Sequence, residues 1–209
     1  KLNFNFALTQ SLSRPSYYDL VPYEYSNSDD KELALGNPDL KASLSTNIDF
    51  MAEYYFKGLG LFSVGFFNKS IDDWIYKFAT NNYTYAGDDG YEMSQLRNGE
   101  KATVSGVELT FQTKFWNNFT FMGNYTSTSS STDRVEGRDN VPLVGQVDNM
   151  YNISLAYESE KFFVRGSFNY AGASLDELSD KSFEDRYYDE QSFLDINANY
   201  RFNDKLSIF

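Results

Sequence analysis

The stretch Ser43-Leu44-Ser45-Thr46-Asn47-Ile48-Asp49-Phe50-Met51-Ala52-Glu53-Tyr54-Tyr55-Phe56 decides the fold. Read at a period of two, Leu44, Thr46, Ile48, Phe50, Ala52, Tyr54 and Phe56 fall on one face, and Ser43, Ser45, Asn47, Asp49, Met51, Glu53 and Tyr55 on the other. This is a strand with one greasy and one wet side. The split recurs in Leu2/Phe4/Phe6/Leu8 against Asn3/Asn5, and in Val107/Leu109/Phe111 against Glu108/Thr110/Gln112. It returns in Tyr151/Ile153/Leu155/Tyr157, in Val164/Phe168/Tyr170, and in Ile196/Ala198/Tyr200/Phe202 against Asp195/Asn197/Asn199/Arg201. The pattern predicts about eight strands and the start of a ninth. They run to about 12 residues, where strands of soluble proteins cluster near 5 to 6 and a tilted membrane strand needs about 9 to 11.

The connections alternate in length. Short turns are expected at Lys57-Gly58-Leu59-Gly60, Trp116-Asn117-Asn118, Ser159-Glu160 and Asn203-Asp204-Lys205; long polar stretches run from Ser13 to Lys41, Ala79 to Lys101, Ser129 to Gly145 and Gly172 to Gln191. An antiparallel meander with short turns at one end and long loops at the other is the pattern of an outer-membrane barrel, its long loops outside. Aromatic residues gather beside the turns: Tyr54, Tyr55 and Phe56; Phe115, Trp116 and Phe119; Phe162 and Phe163; Tyr200 and Phe202. An interfacial girdle belongs there, because amphipathic rings favour the headgroup level. The competing reading, a soluble β-sandwich, needs neither the length nor the girdle.

Composition removes other classes. With 18 basic and 30 acidic residues the net charge is -12, which repels phosphate backbones and argues against nucleic acid as a partner. The chain has no His and no Cys, so imidazole bases, thiolate nucleophiles and zinc sets built on them are unavailable. No catalytic residues, cofactor or metal site are assigned, and no enzyme activity is expected. No apolar run reaches 18 residues, so no transmembrane helix is expected.

Several segments, in order, resemble the C-terminal part of a TonB-dependent outer-membrane receptor barrel: Arg14-Pro15-Ser16-Tyr17-Tyr18-Asp19-Leu20-Val21-Pro22-Tyr23, Gly36-Asn37-Pro38-Asp39-Leu40-Lys41, Ser63 to Lys69 with Ile71-Asp72-Asp73-Trp74-Ile75, Gly106-Val107-Glu108-Leu109, Pro142-Leu143-Val144-Gly145-Gln146, and Leu194-Asp195-Ile196-Asn197. The chain departs from the family at Ala42, where a proline is frequent, and at Val144, where Pro-Gly-Gln is common. The resemblance implies an all-β, antiparallel transmembrane barrel of 22 strands, of which residues 1–209 supply about nine, read as strands 13 to 21 and as one partial domain. It further implies uptake of a scarce solute (a metal chelate, a vitamin or an oligosaccharide) driven through TonB. The implied partners are the protein's own plug domain, TonB, outer-membrane lipid and lipopolysaccharide, and a surface lipoprotein. Because Lys1 and Phe209 fall inside strands, and open edges in hydrocarbon are costly, a fragment of a larger barrel is expected, one that does not fold stably alone. The alternatives are a passive porin and a soluble carbohydrate-binding or adhesive β-domain.

By alternation Asp49, Glu53, Glu108, Arg165, Asp195 and Arg201 face the lumen, as contacts for plug or solute or simply as a wet wall. About 20 acidic residues lie in the four long stretches, including Asp176, Glu177, Asp180, Glu184, Asp185, Asp189 and Glu190. They suit divalent cations, or merely keep exposed loops soluble. Tyr17, Tyr18, Tyr83, Tyr85, Tyr187 and Tyr188 are candidates to stack on sugars or planar chelators, against the alternative of an upper girdle.

Overall fold

The computed structural model describes every residue except 57–59 and 204. The turns expected at Lys57 to Gly60 and Asn203 to Lys205 therefore lie partly outside the described residues. Nine strands form one antiparallel sheet: β1 (Leu2–Ser13), β4 (Ser43–Phe56), β5 (Gly60–Asp72), β8 (Lys101–Phe115), β9 (Phe119–Thr132), β10 (Asn149–Glu158), β11 (Phe162–Ala171), β14 (Gln191–Asn203) and β15 (Leu206–Ile208), adjacent in that order. The alternation that defines β4 is realised in space: Leu44, Ile48, Phe50 and Tyr54 are exposed, while Ser43, Ser45, Asn47 and Asp49 between them are half-buried.

Cross-strand register aligns the apolar faces into rows. One row reads Tyr54, Phe62, Phe111, Gly123, Ile153, Phe168, Leu194; the row above reads Ala52, Val64, Leu109, Tyr125, Tyr151, Tyr170. On β8 the apolar band runs from Phe115 to Val107, about 26 Å of strand at 3.3 Å per residue, or roughly 20 Å once tilted by about 40°. Above it the outward row turns polar, with Asn68, Ser105 and Ser129 in register. Near the turns rings meet in series: Phe115 stacks on Phe119 at 5.5 Å, Phe119 meets Tyr157 at 5.0 Å, and Tyr157 meets Phe162 at 6.3 Å. Tyr55 and Phe163 do not belong to this belt. Their neighbours in register, Leu61 and Asn199, put them on the inner face, because adjacent residues of a strand point opposite ways.

The long stretches hold a second sheet, which the alternation does not reveal. β2 (Glu24–Asn27), β3 (Glu32–Leu35), β6 (Ile75–Tyr85), β7 (Asp88–Asn98), β12 (Ser174–Ser179) and β13 (Arg186–Tyr188) assemble in the order β13-β12-β6-β7-β3-β2, with β3–β7 and β12–β6 parallel. β6 and β7 continue the β5–β8 ribbon past a break at Asp73, whose φ of 52° lies in the left-handed region. Its amide donates to Glu100 O and that of Gly99 to Trp74 O, so the ribbon stays paired through the break. The segment Ile71 to Ile75 is therefore not one continuous strand: β5 ends at Asp72 and β6 begins at Ile75. Trp74, Tyr76 and Phe78 leave the membrane face and enter a buried cluster with Leu33, Tyr91, Met93, Val135, Val141, Leu175 and Leu178. All four long stretches contribute to that core.

Candidate functional site

The inner face of the wall carries the six lumen candidates, in two groups. Asp49 on β4 and Glu108 on β8 border one hollow of about 270 Å³, together with Met51, Gly65, Phe67 and Lys69. Glu108 lies opposite Gly65, where a Cβ would stand 3.7 Å from Glu108 Oε2 and 3.8 Å from Met51 Cε. The bare glycine thus gives the carboxylate room to lie across β5. Among the described residues no lysine or arginine nitrogen comes within 4.0 Å of Asp49 or Glu108, while Glu53, nearby on β4, accepts from Asn5 Nδ2 at 3.5 Å. An uncompensated carboxylate on a concave wall suits a cationic or hydrogen-bond-donating partner.

The second group lies several strands away. Arg165 pairs in register with Asn197, and Asp195 with Ser167, so the two charges are diagonal neighbours without an ion pair; Asn169 Nδ2 donates to Asp195 at 3.3 Å. Arg201 sits beside the β14–β15 turn opposite Ser207. Between the groups runs a row the charged-residue reading missed: Ser63, Thr110, Asn124, Asn152 and Asn169 occupy one level on consecutive strands, with Asn152 Nδ2 donating to Asn124 Oδ1 at 2.8 Å. Its signal in the sequence is an amide or hydroxyl at the same parity of each strand, visible only once the register is known.

The external tyrosines divide as well. Tyr17 is 91% exposed, and Tyr18 stacks on Tyr23 with ring centres 4.6 Å apart. Tyr187 and Tyr188 stand exposed on β13. Tyr83 lies opposite Tyr91, and Tyr85 is built into the sheet, meeting Tyr91 edge-on at 5.3 Å and donating its hydroxyl to Glu24. The sheet is held by ion pairs that the sequence did not single out. Arg138 grips Asp185 with two bonds of 2.7 and 3.0 Å, Glu177 is buried between Lys77 and Arg186, and Arg97 bonds Glu136 at 2.8 Å while lying over the Phe78 ring. Tyr76 donates to the same Glu136 oxygen at 2.6 Å; burial, then that bond, pushes its phenol well above the usual value. Much of the external acid is therefore structural. Among the described residues no three acidic side chains converge as a cation site.

A polar concave face, an apolar convex band bounded by rings, and a structured external cap define the wall of an outer-membrane β-barrel. The chain belongs to the TonB dependent receptor-like, beta-barrel family, whose model matches residues 1–209. That family consists of receptors and transporters, not enzymes. Similar solved structures include a variant of the ferric enterobactin receptor PfeA of Pseudomonas aeruginosa in complex with enterobactin (18% identity, TM-score 0.70, 99% of this chain and 32% of that one). The siderophore receptor PirA of Acinetobacter baumannii matches at 18% identity and TM-score 0.66, over 97% of this chain and 33% of that one. The copper transporter OprC matches at 14% and 0.67, over 97% and 29%. The chain spans about a third of the length of these proteins. No curated protein matches it.

Proposed function

We propose that this chain forms part of the wall and mouth of an active outer-membrane importer for a scarce solute: a metal chelate, a vitamin or an oligosaccharide. The observation that carries the reading is the family match over residues 1–209, joined to a polar inner wall beneath a cap that ties four external stretches together. In this reading Asp49, Glu53 and Glu108 face the plug domain, and Arg165, Asp195 and Arg201 line the route past it. Tyr17, Tyr18, Tyr187 and Tyr188 present rings to the solute, while Tyr83 and Tyr85 set the shape of the mouth. TonB supplies the drive, membrane lipid and lipopolysaccharide surround the band, and a surface lipoprotein docks outside. Siderophore and copper receptors among the similar structures favour a metal-linked solute. The test is uptake of radiolabelled ferric enterobactin, other ferric chelates, a cobalamin and maltooligosaccharides by cells carrying the full-length receptor, with and without TonB. Uptake of one of these that disappears without TonB is expected. Uptake that survives its loss would make the protein a passive porin.

A further inference from the structure

The middle row of the outward face is broken at one place. Gly123 stands in register between Phe111 on β8 and Ile153 on β10, in the middle row of the apolar band, and leaves the only gap of that row among its aromatic and branched neighbours. The gap opens into an almost wholly apolar groove of about 420 Å³, walled by Phe62, Leu109, Phe111, Phe121, Tyr125 and Ile153. A Cβ on Gly123 would come within 3.4 Å of the Phe121 ring, so a larger side chain fills the groove.

We infer that the groove binds one acyl chain of a zwitterionic phospholipid from the periplasmic leaflet. Hydrocarbon is the solvent at this depth, and a concave surface of rings gives a chain more contacts than the flat belt around it. Below the groove the pairs Phe121/Leu155 and Phe119/Tyr157 descend to the turn after β10. From Tyr157 up to Ile153 is about 13 Å of strand, or roughly 10 Å of depth after tilt, within the roughly 15 Å that half a bilayer core allows an acyl chain. The turn itself carries adjacent exposed charges of opposite sign, Glu160 and Lys161, complementary to the amine and phosphate of such a headgroup. At the external end the outward positions are Ser105, Ser127, Ser129 and Asn149, which offer no cation to the phosphates of lipopolysaccharide.

The test uses full-length receptor extracted from outer membranes, with co-purifying lipid identified and counted by mass spectrometry. Gly123→Leu is expected to carry one phospholipid fewer per receptor than wild type. Gly166→Leu adds the same bulk on the outward face, where nothing lies within 4 Å of a Cβ, and is expected to match wild type. Equal retention by wild type and Gly123→Leu, equal loss in both variants, or lipopolysaccharide as the lipid lost, overturns the inference. Should Gly123→Leu fail to assemble, the wild-type receptor decides in phospholipid nanodiscs by electron microscopy. An ordered chain across Gly123 supports the site, and a bare groove overturns it.

Discussion

Tyr76 and Arg97 share one carboxylate oxygen of Glu136, and this small triad fixes how β6 meets the third external stretch. The fold holds the phenol in its protonated form. Its contribution is therefore complete below the ordinary tyrosine value near pH 10 and is lost as pH rises beyond it toward the raised folded value. Tyr76→Phe should lower stability of the external sheet by about 0.5 to 1.5 kcal/mol. In an absorbance titration of the full-length receptor, the wild-type-minus-variant difference should show one phenol ionising later than an ordinary tyrosine; a difference spectrum centred near pH 10 would contradict the burial. At the membrane face the register ranks positions by depth. Ile153→Arg, in the middle row, should cost roughly 2 to 4 kcal/mol, and Ile48→Arg, beside the polar upper row, about 0 to 1. Asn152→Arg, pointing inward, should cost less than Ile153→Arg. Urea titrations of the folded full-length receptor in vesicles give all three, and equal costs for residues 152 and 153 would contradict the assignment of the two faces.

Among the elements, β4 was legible because fourteen residues of strict alternation outweigh any local accident, and the same holds for the other wall strands. The external sheet was not. β2 and β3 have four residues each and β12 six, too few to establish a period, and β3 and β12 find their partners β7 and β6 in other parts of the chain through parallel pairings that no short-range signal encodes. Trp74, Tyr76 and Phe78 alternate as wall residues do, and only the break at Asp73 sends them into a water-facing body's core. The lumen carboxylates were legible as inward-pointing, whereas the hollow shared by Asp49 and Glu108 depends on Gly65 lying between their strands. Two substitutions probe the external elements. Leu178 on β12 is fully buried, so Leu178→Ala should cost about 2 to 5 kcal/mol of that sheet's stability. On intact cells it should open the Gly172 to Gln191 stretch to protease while the barrel keeps its resistance to unfolding in cold detergent. Gly99→Ala would bring a Cβ within 2.2 Å of Trp74 Nε1, displacing the indole at about 1 to 3 kcal/mol. If Gly99→Ala left Trp74 fluorescence and protease resistance unchanged, that close packing would be disproved.

Across the whole molecule, charge is unevenly shared. The four external stretches contain 20 acidic and nine basic residues, nearly the entire net charge of -12. Six of those nine cations, Lys31, Lys41, Arg97, Arg138, Lys181 and Arg186, are engaged in ion pairs. The field these stretches present to an approaching solute is therefore negative. Association of an anionic ferric chelate with the full-length receptor should quicken as ionic strength rises from about 0.01 M to 0.15 M, and that of a cationic solute should slow. Stopped-flow rates with the opposite salt dependence would show that residues outside this chain dominate the field.

The core shared by the external stretches also bears on engineering. Leu33 comes from the first, Tyr91 from the second, Val135 from the third and Leu178 from the fourth, and all four are buried in one cluster. A graft that exchanges a single loop with another receptor removes one quarter of a jigsaw, and the remaining three pieces lose their fit along with the borrowed one. The packing of this surface is therefore expected to survive transplantation as a complete cap, cut at the Asp73 and Gly99 break and at the matching ends of the other stretches, rather than loop by loop.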